Sequence, residues 1–393
     1  MKRMRIAVAT HFPADPGVPH GGVEAVSVNL VRALAAFSDI ELHVVTLDPA
    51  VTSVTEQLWG GATIHRLPRR AGSELLNATG PGRRQIAEFL TQLSPDLVHA
   101  HDTYGLMVKG LRIPRVFTIH GFIYGDTLVS GMKLPWLRSQ VWRIFETSGW
   151  ADQPHIISIS PYVRERLAGI ARGVIHDIDN PIAEEFFNIP KRERADVVFS
   201  AAAICPRKNT LRLVEAVARL AQEGRHVELR LAGSVTEPEY GALVSQAVRD
   251  YRLEEKVLFL GQIGTGQVLK ELSEAAVFAL VSLEENSPMG IEEAMAASIP
   301  VVTSNRCGMP YMVRDGESGY LVDPNDSVAI ARRVGQVLGD NELRRAMGKK
   351  SRDIALDRFH PGHVAARTRA VYLDMILDNS KPDGGITGLS RPA

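Results

Sequence analysis

Short apolar runs alternate with helical patterns of apolar residues along most of this chain. Arg5–Thr10, Glu41–Leu47 and Val197–Ile204 have the length and apolar content of buried strands. Between such runs, Arg83–Leu93 and Leu211–Gln222 place apolar residues at the spacing of an amphipathic helix. Strands that alternate with helices predict parallel sheets, whose ligands bind beyond the carboxyl ends of the strands. The pattern therefore predicts an α/β protein.

Two domains are expected, because 393 residues are enough to bury two separate cores. The stretch 188–194 is polar, charged and proline-bearing, which is typical of a linker, and we expect it to act as a hinge when a cleft between the domains closes. This predicts an N-terminal domain at 1–187 and a second domain at 188–362. Residues 379–393 contain Gly, Pro and Ser but few apolar residues, so a disordered tail is expected there.

One strand, loop and helix in the second half has the features of an anion-binding site. The apolar run Val277–Val281 leads into a loop, and Ser287 with Pro288 predicts a helix start with a hydroxyl cap and a proline in the first position. The first turn, at Met289 and Gly290, then offers free backbone N–H groups and the positive end of the helix dipole. A diphosphate could bind there.

Two glutamates flank this helix start. Glu285 lies in the loop and Glu293 lies inside the helix, so on one continuous helix they would point about 80° apart. Only a turn from strand through loop to helix lets both carboxylates face one cleft. Ionised carboxylates accept strong hydrogen bonds from sugar hydroxyls, whereas they repel phosphate. The alternative interpretation is a pair of exposed glutamates on an amphipathic helix.

The beginning of the chain has a comparable arrangement. A short strand, the pair Gly21 and Gly22, and a helical pattern from Val23 to Leu34 are typical of a nucleotide-binding domain. The loop lacks G-x-G-x-x-G, so the dinucleotide fingerprint is absent. On its own, the glycine pair indicates no more than a tight turn.

A longer motif surrounds the two glutamates. E-x7-E within Glu285–Met295 continues into E-A-M-A and P-V-V-T, and then into C-G-M-P-Y-M-V-R-D-G-E-S-G-Y-L-V-D-P-N-D. This stretch resembles the retaining nucleotide-sugar glycosyltransferases of glycosyltransferase family 4. The resemblance extends over residues 5–378 and is weakest in 125–150. It implies the GT-B fold, in which two Rossmann-like domains face each other across a cleft and a terminal helix, here 363–378, crosses back onto the first domain.

The resemblance also implies roles for particular residues. In that family the glutamate at the position of Glu285 holds the donor sugar, and the one at the position of Glu293 holds the nucleotide ribose. Gly22 and Glu24 match the family's G-G-x-E, where the glycines let the backbone approach the donor's phosphates.

Other positions match the family in part. His120, at the end of the strand Val116–Ile119, matches a histidine that contacts the donor sugar beside the acceptor, whereas His101 is interpreted as structural. Lys208 matches a lysine that clamps the diphosphate, but Ala203 stands where the family has an arginine. Arg207 could supply that charge from a different backbone position, although an arginine's fork is not easily replaced. The predicted catalytic residues are His120, Glu285 and Lys208, and the predicted donor-binding residues are Gly21, Gly22, Arg207, Lys208, Glu285, Met289, Gly290 and Glu293.

The implied reaction moves a sugar from a nucleotide-sugar to a hydroxyl of a glycan, a glycolipid or a small molecule, with retention at the anomeric carbon. UDP-hexose is the first expectation for the donor and GDP-mannose the second, because these are frequent in the family. No D-x-D stands in a suitable place, so neither a metal ion nor another cofactor is expected. Ala203 leaves open a GT-B-like protein that binds sugar nucleotides without transfer, and a GT-B sugar-nucleotide epimerase is a further alternative.

Composition narrows the partners and the compartment. Lys plus Arg and Asp plus Glu both number 45, so the net charge is zero and no attraction to nucleic acid is indicated. Cys205 and Cys307 are far apart and in no metal-ligand spacing, which fits a reducing compartment. The apolar run after the basic N-terminus, Ile6–Ala9, is too short for a signal sequence or a membrane span, so a cytoplasmic protein is expected.

The segment 131–150 interleaves Lys and Arg with Leu, Val, Ile and Trp. The favoured interpretation is an ordinary helix that packs with its tryptophans inside. Two alternatives remain, namely a basic amphipathic helix that contacts an anionic membrane surface from the cytoplasmic side and a wall of the acceptor site.

Overall fold

The first domain is built on one eight-stranded sheet. The structure is a computed structural model that describes residues 3–19, 21–129 and 133–379. The strand order is β3-β4-β2-β1-β5-β6-β7-β8, and every pair is parallel except β3 with β4. In chain order the elements are β1 (Met4–Ala9), α1 (Gly22–Leu34), β2 (Ile40–Asp48), β3 (Thr55–Trp59), β4 (Ala62–Pro68), α2 (Glu74–Thr79), α3 (Pro81–Leu93), β5 (Leu97–His101), α4 (Tyr104–Met107), β6 (Arg115–Ile119), α5 (Ile123–Leu128), α6 (Pro135–Asp152), β7 (His155–Ser158), α7 (Pro161–Leu167) and β8 (Val174–Asp177).

The second domain carries a six-stranded sheet whose pairs are all parallel. Its strand order is β11-β10-β9-β12-β13-β14, and helices cover both faces. The elements are β9 (Val197–Ala201), α8 (Thr210–Gln222), β10 (Glu228–Ala232), α9 (Pro238–Asp250), β11 (Val257–Gly261), α10 (Thr265–Glu274), β12 (Val277–Leu280), α11 (Met289–Ala296), β13 (Val301–Ser304), β14 (Gly319–Val322), α12 (Ser327–Gly339), α13 (Asn341–Arg358) and α14 (Pro361–Asn379). The predicted α/β class with two parallel-sheet domains is therefore confirmed.

The chain crosses between the domains twice, at neighbouring positions. On the first crossing Ile178 packs in the core of the first domain and Ile182 in that of the second. On the return, Phe359 packs in the second core and Val364 in the first. The backbone N–H of Ile182 donates to the carbonyl of Phe359 at 2.9 Å, so the two crossings are joined by a hydrogen bond. Residues 178–183 and 359–364 are thus the places where the domains can move relative to each other.

The stretch 188–194 is not the crossing point that its polarity predicted. The backbone N–H groups of Arg192 and Arg194 donate to the carbonyls of Ser273 and Glu274, both at 2.8 Å, so this stretch is fixed to the second domain. Its polar side chains remain at the surface while its backbone is paired, which is why composition alone indicated a linker.

The last described helix, α14, lies against α1 of the first domain. The hydroxyl of Tyr372 is 2.6 Å from Nδ1 of His99, and Arg369 forms an ion pair with Asp39. The tail predicted at 379–393 lies outside the described residues, apart from the backbone of Asn379. No helix within the described ranges combines the length and the apolar character needed to cross a bilayer.

Candidate functional site

A cavity of about 560 Å³ lies between the carboxyl ends of the two sheets. Both domains contribute to its wall, which is the position expected for a ligand in a parallel α/β protein. Every residue predicted for the site lines this cavity: Gly21, Gly22, His120, Arg207, Lys208, Glu285, Met289, Gly290 and Glu293. The fold thus brings together residues that are up to 272 positions apart in the chain.

Two helix N-termini face each other across the cavity. A Cβ atom placed on Gly22, at the start of α1, would lie 3.6 Å from Cγ of Met289, at the start of α11. At Gly21 the backbone is extended, and a Cβ atom would meet nothing within 4 Å. The positive ends of two helix dipoles therefore converge on one part of the cavity, which favours an anionic ligand.

The start of α11 differs in detail from the prediction. The residue before the helix is Pro288, and no side chain in the described part of the chain caps its first turn. The hydroxyl of Ser287 instead donates to the buried carboxyl of Glu292 at 2.5 Å, so the predicted hydroxyl cap is wrong. Burial raises the pKa of Glu292, and the hydrogen bond from Ser287 opposes this in part.

Two cations converge on Glu285. A single 3₁₀ turn, Pro206–Lys208, follows β9, and its last residue leads into Asn209 in the left-handed conformation. Nη1 of Arg207 lies 2.8 Å from Oε1 of Glu285, and Nζ of Lys208 contacts the same oxygen. Burial acts to raise the pKa of Glu285, but Lys208 and Arg207 outweigh it and lower that pKa below its usual value. The Glu285 carboxylate is therefore ionised and carries two positive partners.

Arg207 enters the cavity although it does not occupy the family's arginine position. Ala203 lines the same cavity with a methyl group, and Arg207 reaches into it from the following turn. Its Nη1 also donates to the carbonyl of Glu284 at 3.0 Å and lies 3.8 Å from Oδ1 of Asp126, across the domain boundary. Two positive side chains are thus present at the place where the family pattern has an arginine and a lysine.

Glu293 is in the opposite electrostatic situation. It lies on α11, lines the cavity and has no ion-pair partner among the described residues. Burial raises its pKa to about 8. Among the carboxyl groups of the cleft, Glu285 is therefore ionised, whereas Glu293 is neutral below about pH 8 until a ligand or a cation alters its surroundings.

His120 is a neutral, fixed imidazole at the end of β6. Its Nε2 is 2.8 Å from Nδ1 of the buried His101, and its backbone N–H donates to Asp102 at 3.0 Å. Its backbone carbonyl accepts from the Asn286 amide at 2.9 Å, which joins the two domains. Burial lowers the pKa of His120 to about 4, and the neighbouring Asn180 opposes this only in part. Its Nδ1 is buried beside the side chain of Asn180 and is not exposed to the cavity.

Several polar residues of the cavity were not predicted as site residues, among them Asp126, Glu146 and Asn180. Asp126 on α5 and Glu146 on α6 lie in the segment that resembles the family least, and burial raises their pKa values to about 6 and about 8. Glu146 accepts the backbone N–H groups of Ile123 and Tyr124 at 3.0 and 2.9 Å, and so holds the start of α5. Asn180 lines the cavity from the loop that follows β8.

The sequence favoured an ordinary helix at 131–150 that packs with its tryptophans inside, and this is right for one face of the helix only. Trp150 is buried and Trp142 lines the cavity, but Trp136 and Ile144 are each 67% exposed. The described residues also contain no group of three or more His, Cys, Asp or Glu side chains that could hold a metal ion.

The two facing domains and the cleft between them define a GT-B protein. Two family models match the chain in succession, Glycosyltransferase Family 4 over residues 20–186 and Glycosyl transferases group 1 over residues 181–354. The chain therefore belongs to glycosyltransferase family 4 and is a glycosyltransferase.

Individual relatives are more distant. N-acetyl-alpha-D-glucosaminyl L-malate synthase of Bacillus anthracis is 28% identical over 167 residues, which is 42% of each protein, so this match spans less than half of that relative. Sucrose-phosphate synthase from Thermosynechococcus elongatus superposes with a TM-score of 0.79 at 23% identity, over 96% of this chain and 100% of the other. HepE from Anabaena, solved with UDP-glucose, superposes with a TM-score of 0.73 at 18% identity, over 95% of this chain and 100% of the other. These structures have the same fold.

Proposed function

We propose that the protein transfers a hexose from a nucleotide-sugar to a hydroxyl acceptor, with retention at the anomeric carbon. The observation that carries the proposal is the pairing of Arg207 and Lys208 with Glu285, beside the facing starts of α1 and α11. Two cations and two helix dipoles suit a diphosphate, and an adjacent ionised carboxylate suits a sugar hydroxyl. A nucleotide-sugar presents these two chemical groups side by side.

The proposed reaction breaks the bond between the anomeric carbon and the diphosphate oxygen. The acceptor oxygen forms its bond to the anomeric carbon on the same face, and its proton passes to the departing phosphate oxygen. The protein then has to stabilise the charge that develops on the diphosphate, and a fixed set of donors and cations in a closed cleft is well suited to this. Arg207, Lys208 and the start of α11 have this role.

The remaining residues position the donor. Glu285 accepts hydrogen bonds from the hexose hydroxyls once the diphosphate engages its two cations, and Glu293 accepts them from the ribose. His120 lines the cavity from the first domain and meets the sugar on that side. The acceptor hydroxyl enters from that side, past Asp126 and Trp142.

UDP-hexose is our first choice of donor, and GDP-mannose is the second. The Anabaena HepE structure contains UDP-glucose in the same fold, which supports the uridine nucleotide. The entry of Arg207 into the cavity supports transfer over a binding protein without activity, because the charge missing at Ala203 is supplied by another residue. An epimerase would need no acceptor, so its product would be a nucleotide-sugar rather than a glycoside.

A thermal-shift screen of the purified protein against UDP-, GDP- and ADP-sugars tests the proposal first, since a ligand that binds only the folded state raises its melting temperature. We expect a clear shift with UDP-hexose. Product analysis by NMR should then show an axial anomeric linkage retained from the donor and free UDP. Absence of any shift, or release of an inverted or an epimerised sugar, would contradict the proposal.

A further inference from the structure

The outer face of α6 exposes an unusual amount of apolar side chain. Its members are Leu134, Trp136, Leu137, Val141 and Ile144, with exposed fractions of 71, 67, 52, 37 and 67%. We name these five residues the α6 outer face. Scattered exposed apolar residues are normal in proteins, but a contiguous group of large ones marks an interaction surface.

The helix itself separates this face from the protein interior. Leu137, Val141 and Ile144 follow the spacing of one helical stripe, while Ser139 and Trp150 lie on the opposite side and are buried. The stripe therefore cannot turn inward without removing the buried side of α6 from the core.

Basic side chains border the α6 outer face. Lys133, Arg138 and Arg143 are exposed, and none of them forms an ion pair with any residue that the structure describes. The carboxylates of α6 are engaged elsewhere: Glu146 is buried against α5, and Asp152 bonds Arg115 at 2.8 Å. The face is thus locally positive although the whole chain has no net charge.

We propose that the α6 outer face docks the protein on an anionic phospholipid surface. A helix with an apolar stripe, a tryptophan and flanking Lys and Arg lies in the headgroup region of a bilayer, where apolar burial and attraction to anionic lipid add together. A second copy of this chain is a poorer occupant. Two such faces in a symmetric dimer would bring six unpaired cations together, and like charges repel.

If the proposed function is correct, the position of the docking surface also indicates the class of acceptor. Trp142 and Glu146 belong to the same helix and line the catalytic cavity. Docking through the opposite side of α6 therefore places the acceptor side of the cavity next to the membrane. The acceptor class that fits this placement is a hydroxyl-bearing headgroup anchored in the bilayer by a lipid.

Vesicle co-sedimentation of the full-length protein tests the apolar part of the surface. Vesicles of phosphatidylcholine and phosphatidylglycerol in equal parts are compared with phosphatidylcholine alone. L137Q/I144Q should weaken binding to the mixed vesicles by at least about tenfold, because two side chains no longer enter the lipid. L243Q/V328Q is the matched control, since Leu243 and Val328 are 59 and 56% exposed on helices of the second domain. It should bind as the wild type does.

The double substitution R138Q/R143Q tests the basic border of the α6 outer face. It should weaken binding to the mixed vesicles by roughly tenfold or more, and the remaining binding should depend less on salt. R332Q/R345Q removes two exposed arginines of the second domain and should leave vesicle binding unchanged. Failure of the wild type to bind mixed vesicles, or equal losses in the test and control variants, would overturn the proposal. A dimer that is lost in L137Q/I144Q, without any vesicle binding, would assign the face to a second copy instead.

The UDP-hexose thermal shift, measured without vesicles, separates this proposal from the proposed function. L137Q/I144Q should keep the full shift because neither residue lines the cavity. Vesicle binding without a UDP-hexose shift in any variant would refute the proposed function and leave the docking surface standing. A normal UDP-hexose thermal shift in a protein that does not bind vesicles would refute the docking surface alone.

Discussion

The guanidinium of Arg207 lies 2.8 Å from the carboxylate of Glu285, and the oxygen that it contacts is also bonded by Lys208. Arg207 and Lys208 carry two positive charges, which are balanced by Glu285 at close range and by Asp126 at 3.8 Å from Arg207. In the proposed reaction a diphosphate engages the two cations, and Glu285 is released from them to accept hydrogen bonds from the attached sugar. On this proposal the same three side chains serve both halves of the donor.

This arrangement makes Glu285→Gln act in opposite directions on binding and on transfer. We expect UDP to bind about tenfold more tightly, the equivalent of ~1.4 kcal/mol, because Arg207 and Lys208 no longer pair with the nearby carboxylate of Glu285. Transfer should fall by roughly 10²–10³-fold, because a neutral amide is a weaker acceptor for the sugar hydroxyl. Isothermal titration with UDP and a transfer assay measure the two effects.

Glu254→Gln is the control for this prediction, since Glu254 is an exposed carboxylate of the second domain outside the cavity. It should change neither quantity. If Glu285→Gln weakened UDP binding, Glu285 would contribute to nucleotide binding directly and the assigned role would be wrong.

Gly21→Val should abolish donor binding without disturbing the fold. The backbone at Gly21 is extended, a conformation that valine can adopt, and a Cβ atom there meets no neighbour within 4 Å. The added side chain would occupy the space between the two helix starts, where we place the diphosphate. UDP-hexose should then give no thermal shift, while the melting temperature of the free protein stays close to that of the wild type. Gly266→Val is a matched control, because Gly266 also has open space around it but does not line the cavity.

His120→Ala should impair transfer and leave nucleotide binding nearly intact. The ring lies on the side of the first domain, whereas Arg207, Lys208 and Glu293 belong to the second. We expect a loss of roughly 10²–10³-fold in transfer, typical of removing one polar group that stabilises the reacting sugar, with UDP affinity unchanged. His226→Ala, at an exposed position, serves as control. Equal losses in UDP affinity and transfer would place His120 on the nucleotide instead.

Transfer should continue in the presence of EDTA. Arg207, Lys208 and the helix starts supply the positive charge that a divalent cation provides to the diphosphate in other transferases. The measurement is the initial rate after dialysis against EDTA, compared with the rate after Mg²⁺ or Mn²⁺ is restored. Activity that disappears with EDTA and returns with the metal would refute metal independence.

The sheets could be predicted from the sequence because their strands are buried on both faces. Val197–Ala201 is mostly buried, and a continuous apolar run of this kind is a strong local signal. Thr55–Trp59 is an exposed edge strand without such a run, so nothing in the pattern indicated it. The hinge was misplaced for a related reason: Arg192 and Arg194 are attached to the second domain through their backbones, and side-chain polarity does not report backbone pairing.

The residues that line the cavity could be predicted where they share a local motif, but not where their position depends on tertiary contacts. Glu285 and Glu293 belong to one short segment, and the turn between them could be inferred from their spacing. Glu146 lines the cavity, where its carboxyl accepts hydrogen bonds from the backbone N–H groups of Ile123 and Tyr124 on another helix. No pattern around Glu146 could reveal that partner.

The raised pKa of Glu293 predicts a pH-dependent stability that Glu293→Gln removes. In the folded protein this carboxyl has a pKa of about 8, against a usual value of 4.5. As pH rises through this window the unfolded chain releases the proton first, and the folded protein must keep it or ionise a buried group, so stability is lost. Glutamine is a neutral replacement of the same shape. Variant and wild type should therefore melt together below about pH 4.5, and the variant should melt a few degrees higher above about pH 8.

The comparison between the two proteins isolates Glu293, because Glu146 and Asp126 also have pKa values raised by burial and lower the stability of both proteins over the same range.

The thermal shift given by UDP should have the opposite pH dependence to the stability of the free protein. Ribose hydroxyls donate more strongly to an ionised carboxylate, so the thermal shift given by UDP should grow with pH up to about 8 in the wild type and stay constant in Glu293→Gln. A melting difference that does not depend on pH would mean that Glu293 is already ionised in the free cleft. A UDP shift with the same pH dependence in both proteins would remove Glu293 from the ribose site.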